Sequence, residues 1–192
     1  MSAFPVPKIS VEEYLEAELR AERPSEYHDG EIFPAEAVSL NHARINLNLK
    51  ALLLQRLLSA PCELFEDIKV RADDAHILIP DAVVVCGKPN LLREAEAVIS
   101  NPKLIFEVLS RSTASYDYGD KFLLYRKLES FDEYVLVAQD TPRVEVFRKQ
   151  ESGDWLLSSY QGMEAGFSLN SVGVTLALAE IYARVVWTDT AP

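Results

Sequence analysis

Two apolar runs of strand length dominate the hydrophobic pattern, and each carries a single acid. The first is Ile77-Leu78-Ile79-Pro80-Asp81-Ala82-Val83-Val84-Val85; the second is Lys103-Leu104-Ile105-Phe106-Glu107-Val108-Leu109. Their richness in Ile, Val and Leu predicts central strands covered on both faces. The half-buried stretch from Cys62 to Arg71 alternates as a strand does, and a turn at Ala72 to Ala75 would make it the antiparallel neighbour of the Asp81 strand.

Around these strands the pattern predicts helices and a hairpin. Ser10 before Val11-Glu12-Glu13 forms a capping box for a helix reaching about Ala21, before Pro24. Ser25 to His28 and Glu31 to Phe33 flank Asp29-Gly30, the signature of a tight primed turn, with Glu26 and Glu31 expected in solvent. Residues 39–59 read as the longest helix, with Ile45, Leu49, Leu52, Leu53 and Leu57 on one face. Lys88 to Ser100 is a connector with a short helical stretch, and Asn101-Pro102 forces extended backbone after it. Beyond Glu107, Asp117 is placed to cap a helix through Phe122, Tyr125 and Leu128. Runs at 133–137, 144–147 and 155–157 extend the sheet, and a strand near Val174 and a helix from Leu178 to Val185 follow. The class is therefore α/β in the broad sense, α+β in detail: a mixed sheet flanked by helices, with an N-terminal hairpin and a C-terminal antiparallel extension.

Length and composition change little. At 192 residues a single domain, 1–192, is the default, with termini 1–8 and 188–192 expected to be mobile. No basic segment followed by an apolar stretch opens the chain, and no apolar run approaches the roughly 20 residues of a membrane span, so a cytoplasmic protein is expected. Cys62 and Cys86 lack zinc-binding spacing and are expected as buried, reduced thiols. The net charge of −11 argues against gripping nucleic acid by bulk electrostatics. A local basic rim of Lys69, Arg71, Lys88, Arg111, Lys121, Arg126 and Lys127 would have to do the docking. There is no Gly-rich phosphate loop and no GxSxG.

The buried acids carry the chemistry. An unpaired carboxylate in a strand core costs several kcal/mol, so such a group is neutralised, paired or bound to a cation. Two carboxylates on adjacent strands can converge on a hard divalent ion such as Mg²⁺. Alternatively each acid sits at a strand end, solvated or paired with Lys69, Arg71 or Lys103. His42, in the first turn of the long helix, is read either as a hydrogen-bonded structural residue or as part of a site.

Pro80-Asp81, then Glu107-Val108-Leu109, then Lys121 in the next helix resembles the PD-(D/E)xK, or restriction-endonuclease-like, superfamily, and more closely the Uma-type endonuclease family. The likeness also takes in Glu26 to Ile32, His42, Ser110 to Thr113, Asp117 to Lys121 and Glu133 to Val137. It implies a restriction-endonuclease-like core and a nuclease cutting nucleic acid, DNA foremost. Asp81, Glu107 and the carbonyl of Val108 would hold Mg²⁺ or Mn²⁺, with Glu31 as an outer ligand. Lys121 would orient the attacking water or stabilise the transition state, and His42 would orient the scissile phosphate or accept a proton. The superfamily's lysine, two residues after the acid, is here Leu109, so the resemblance implies relocation of that role to Lys121. The bland reading of Lys121 is a surface pair with Asp117 at i, i+4. Leu109 and the acidity also favour an alternative, a nuclease-fold module without cleavage that serves protein interaction or DNA binding. A metal-dependent hydrolase of small phosphoesters is a third reading. Open strand edges suggest a homodimer.

Overall fold

The computed structural model describes residues 8–35, 37–92 and 97–187. Except for Lys8, the termini expected to be mobile lie outside those residues. Helix α1 (Val11–Glu18) opens with the capping box: the Ser10 hydroxyl accepts the Glu13 N–H at 3.2 Å, and the Glu13 carboxylate accepts the Ser10 N–H at 2.7 Å. Strands β1 (Ser25–His28) and β2 (Glu31–Pro34) form the hairpin, with Asp29 at φ 45° and Gly30 at φ 90°. Both central residues are thus left-handed, as a type I′ turn requires. Helix α2 (Leu40–Leu57) is capped by the Ser39 hydroxyl and buries His42, Ile45, Leu49, Leu53 and Leu57 along one stripe.

The chain then crosses repeatedly between two sheets. Residues 62–71, expected as one strand, are two: β3 (Cys62–Phe65) and β4 (Lys69–Asp73), separated by a bend in which Asp67 takes φ 53°. The run around Asp81 is likewise divided into β5 (His76–Leu78) and β6 (Ala82–Cys86). Pro80 supplies no N–H to a ladder, so it falls naturally at the break. Strand β5 pairs with β4 and β1, while β6 pairs with β3, so Asp81 stands at the crossing between two sheets. The helical stretch expected between Lys88 and Ser100 falls partly outside the described residues; the described part includes β7 (Val98–Ile99), parallel to β4.

Strand β8 (Leu104–Leu109) is buried throughout, antiparallel to β6 and parallel to β9 (Glu133–Ala138). A parallel neighbour requires a crossover. It is supplied by helix α3 (Ala114–Tyr116), a π-helical turn (Asp117–Lys121) and helix α4 (Phe122–Tyr125). Asp117 therefore lies inside the helical segment and does not cap it. Strands β10 (Arg143–Lys149) and β11 (Trp155–Gln161) complete the meander, and β12 (Gly166–Leu169) pairs with β13 (Val174–Ala177) before helix α5 (Leu178–Ile181). Strand β12 was not foreseen, and α5 stops earlier than expected. Among the described residues the sheets run β11-β10-β9-β8-β6-β3 and β2-β1-β5-β4-β7, beside the β12-β13 ribbon. The architecture is the expected one, mixed sheets flanked by helices, with the N-terminal hairpin and C-terminal extension in place.

The pleat of β8 sorts its side chains. Leu104, Phe106 and Val108 join the core beneath α2 and α5; Ile105 and Leu109 join the core beneath α4, with Phe122, Tyr125, Phe131 and Tyr134. Glu107 lies between Ile105 and Leu109 on that second face. No described helix is long and apolar enough to cross a membrane.

The expectation of reduced thiols is overturned. Cys62 and Cys86 stand opposite each other in the β3–β6 register and are joined in a disulfide, with Cα atoms 3.9 Å apart. Their proximity is a product of strand register between residues distant in sequence.

Candidate active site

Four segments bring acids to one place. Glu107 comes from the middle of β8, and Asp81 from the break between β5 and β6. Asp117 and Lys121 come from the π-helical turn, which buries both side chains. Glu26 comes from β1. π-Helical turns are uncommon and cluster at functional sites.

Lys121 is the hub. Its Nζ lies 2.8 Å from Glu107 Oε1, 3.2 Å from Glu26 Oε1 and 3.8 Å from Asp117 Oδ1, and it donates to the Ile79 carbonyl at 3.2 Å. The Lys121 side chain is only 6% exposed, so the pair with Asp117 is no surface bridge. The Tyr125 hydroxyl donates to Glu107 Oε1 at 3.3 Å, and the Ile79 N–H donates to Glu26 Oε1 at 2.9 Å. The alternative partners for the two strand acids are occupied elsewhere: Lys69 pairs with Glu18, Arg71 with Asp74 and Lys103 with Asp132.

Asp81 is held by its own set of donors. Oδ1 lies 3.0 Å from His42 Nε2 and accepts Asn46 Nδ2 at 2.8 Å; Oδ2 accepts the Val108 N–H at 2.7 Å. The Asp81 N–H points at Glu107 Oε2, 3.4 Å away, which sets the two acids side by side. His42 and Asn46 are one helical turn apart, on one face of α2. Their remaining polar atoms, His42 Nδ1 and Asn46 Oδ1, are buried with no hydrogen-bond partner among the described residues.

Three carboxylates thus share one ammonium with Asp81 close by, and the acidities of the four record the imbalance. Burial pushes Glu107 well above the usual carboxylate range, and the Asp117 and Asp81 charges add to this while Lys121 opposes it. Burial also raises Asp117. Burial would raise Asp81 too, but the His42 hydrogen bond and charge, the Val108 N–H and Lys121 outweigh it and leave the group lowered. For Glu26 burial is overcome chiefly by Lys121, and the carboxyl is lowered to about 2. Burial alone would lower Lys121, but Glu107, Glu26 and Asp117 hold it well above the ordinary lysine value, as a firm ammonium.

The donor chemistry fits a hard divalent cation, which takes carboxylate, carbonyl and water oxygens. Among the described residues no three of His, Cys, Asp and Glu are grouped to enclose a metal by side chains alone. An ion here would draw on one or two carboxylates, backbone and water, as Mg²⁺ commonly does. Asp81 and Glu107 are the adjacent pair, and Val108 adjoins them through its backbone.

Glu31 stands apart. It is exposed at the turn end of edge strand β2, and Glu26 is the hairpin acid that reaches the cluster. The expectation that Glu26 is solvated therefore fails. The expected basic rim is largely neutralised: Lys69 and Arg71 are paired as above, Lys127 meets Asp73 at 2.6 Å, and Arg126 lies over the Phe122 and Trp155 rings. Asn46, Tyr116 and Tyr125 were not anticipated. Asn46 had a signal, its i+4 spacing from His42; the two tyrosines follow the helical phase of Lys121, which the π turn resets.

Known proteins are similar to this chain. A family model described as "Uma2: Putative restriction endonuclease" matches residues 11–179. Two uncharacterized proteins of Synechocystis sp. are similar at 35% identity: slr1290 over 180 residues, 93% of this chain and 93% of that one, and sll1609 over 159 residues, 82% and 90%. A crystal structure of a "putative nuclease belonging to DUF820" from Anabaena variabilis superposes with a TM-score of 0.70 at 18% identity, covering 90% of this chain and 98% of that one. The restriction-endonuclease-like core is thus a shared fold.

Proposed function

This chain belongs to the Uma2 family, described as "Putative restriction endonuclease", and we propose that it is a metal-dependent nuclease that hydrolyses phosphodiester bonds, in DNA foremost, at the Asp81–Glu107–Lys121 cluster. The observation that carries the reading is the surplus of buried carboxylate: Glu26, Glu107 and Asp117 surround a single ammonium, and Asp81 stands beside Glu107. A second cation would relieve that imbalance.

Asp81 and Glu107, with the Val108 carbonyl, would hold Mg²⁺ or Mn²⁺, which when bound supplies Lewis acidity and a water of lowered pKa. Lys121, fixed by three carboxylates and the Ile79 carbonyl, offers positive charge where the transition state gathers negative charge on phosphate oxygens. His42 Nε2, 3.0 Å from Asp81 Oδ1, holds that carboxylate from the side of helix α2, and its Nδ1 is buried. Asn46 and the Val108 N–H keep the Asp81 carboxylate oriented. Glu31 has no part in this reading.

The rival reading is a nuclease-fold module without cleavage. Leu109 favours it, being packed into the core at the position where the superfamily keeps its lysine. Incubation of plasmid, oligonucleotide and nucleotide substrates with Mg²⁺ or Mn²⁺ separates the readings. Wild type should cut a polynucleotide, and folded Asp81→Ala should not; equal cleavage by both, or none by either, rejects the proposal. A homodimer through an open edge, β2 or β11, completes the proposal; sedimentation at micromolar concentration tests it.

A further inference from the structure

Beyond Glu26 from the acid cluster, a cavity of about 340 Å³ opens between β1, β5 and the helical crossover, within the roughly 300–1,000 Å³ of ligand clefts. Three aromatic side chains line it, His28, His76 and Tyr116, together with Leu123, Leu124 and Lys127. The His28 ring lies 5.7 Å from His76 and 5.9 Å from Tyr116, each at 71°, and half-exposed Phe33 meets its edge at 5.1 Å. The rings are thus braced against one another without stacking shut.

This wall is joined to the site by one carboxylate. Glu26 Oε2 is 3.1 Å from His28 Nε2 and accepts the Tyr116 hydroxyl at 3.2 Å, while Oε1 lies 3.2 Å from Lys121 Nζ. A ligand on the rings would therefore adjoin whatever occupies the acid cluster.

Charge limits what that ligand is. Lys127 is matched by Asp73, which also binds His76 at 2.7 Å, and Asp120 adds a further acid to the lining. With a net charge of −11, phosphate attraction alone cannot hold a polynucleotide. Stacking on aromatic rings is the sequence-tolerant, largely uncharged alternative.

The geometry points to a base-binding subsite: the cavity takes one unpaired nucleobase of the strand to be cut, its face on the His76 ring and its edge towards the tilted His28 ring. This rests on the nuclease reading and narrows its substrate class to single-stranded or locally opened nucleic acid, because a base inside a duplex cannot present its faces to protein rings.

The probe is a single-stranded oligonucleotide carrying 2-aminopurine, whose fluorescence falls when it stacks, titrated in EDTA so that nothing is cut. Wild type should quench it and bind it at least about tenfold more tightly than the matching duplex. His76→Ala should weaken binding about tenfold, and His76→Phe, which keeps a ring, should restore it. Duplex bound as tightly as single strand, or His76→Ala binding as wild type does, overturns the subsite. Ring-dependent binding without any cleavage in Mg²⁺ upholds the subsite and rejects the nuclease reading; cleavage indifferent to His76→Ala does the reverse.

Discussion

The Lys121 ammonium stands 2.8 Å from Glu107 Oε1, with both side chains all but sealed from solvent. Removing one partner of such a pair leaves an uncompensated buried charge, at a cost of about 3–5 kcal/mol. Lys121→Met should therefore lower unfolding free energy by that amount in urea at neutral pH. The double variant Lys121→Met/Glu107→Gln should recover much of it. A single-variant loss below about 1 kcal/mol would mean that the pair is as weak as a surface bridge.

Stability should carry the mark of Glu107. Burial, reinforced by Asp117 and Asp81 and opposed by Lys121, raises its folded-state pKa above the ordinary 4.5. Its contribution is therefore whole below that value and lost as pH rises through the folded pKa. Glu26 has the opposite sign: lowered to about 2, it stabilises above about pH 4.5 and loses that contribution as pH falls toward 2. In metal-free buffer Glu107→Gln, a mimic of the protonated form, should gain on wild type in melting temperature as pH rises above about 4.5. Parallel melting profiles between about pH 4 and 8 would contradict the assignment.

Asn46 touches Asp81 and no other acid of the cluster. Loss of a residue that orients a metal-binding side chain typically costs about 10–100-fold in activity or metal affinity. Asn46→Ala should lower kcat by that factor with KM little changed, and with melting temperature close to wild type. A pure KM effect would place Asn46 in substrate binding instead.

Much of this arrangement was legible in the chain. The strand acids, the primed hairpin turn and the helix bearing His42 follow from local pattern, because a run such as Leu104 to Leu109 has few ways to bury itself. The sheet changes at Asp67 and Pro80 were not legible, since nothing local distinguishes a bent strand from two strands in different sheets. The π-helical turn was hidden for a similar reason: its one extra residue shifts the phase of Asp117 and Lys121 together, so i, i+4 spacing read as a surface pair. Glu26 looked like any hairpin acid, because its partner Lys121 lies in another part of the sequence.

The Cys62–Cys86 disulfide, 24 residues apart in sequence, closes a loop that should stabilise the fold by about 2–4 kcal/mol. Reduction should lower the melting temperature while the metal binding proposed at Asp81 and Glu107 persists, since the bond ties β3 to β6 at the end of β6 remote from Asp81. Loss of metal binding on reduction would show that the sheet edge governs the site.

The proposed nuclease reading requires a divalent cation at Asp81 and Glu107, and calorimetric titration with Mn²⁺ tests this most directly. Wild type should bind the ion, and Glu107→Gln, folded to the same degree, should not. Binding of equal strength in both proteins, or none in wild type, would contradict the account.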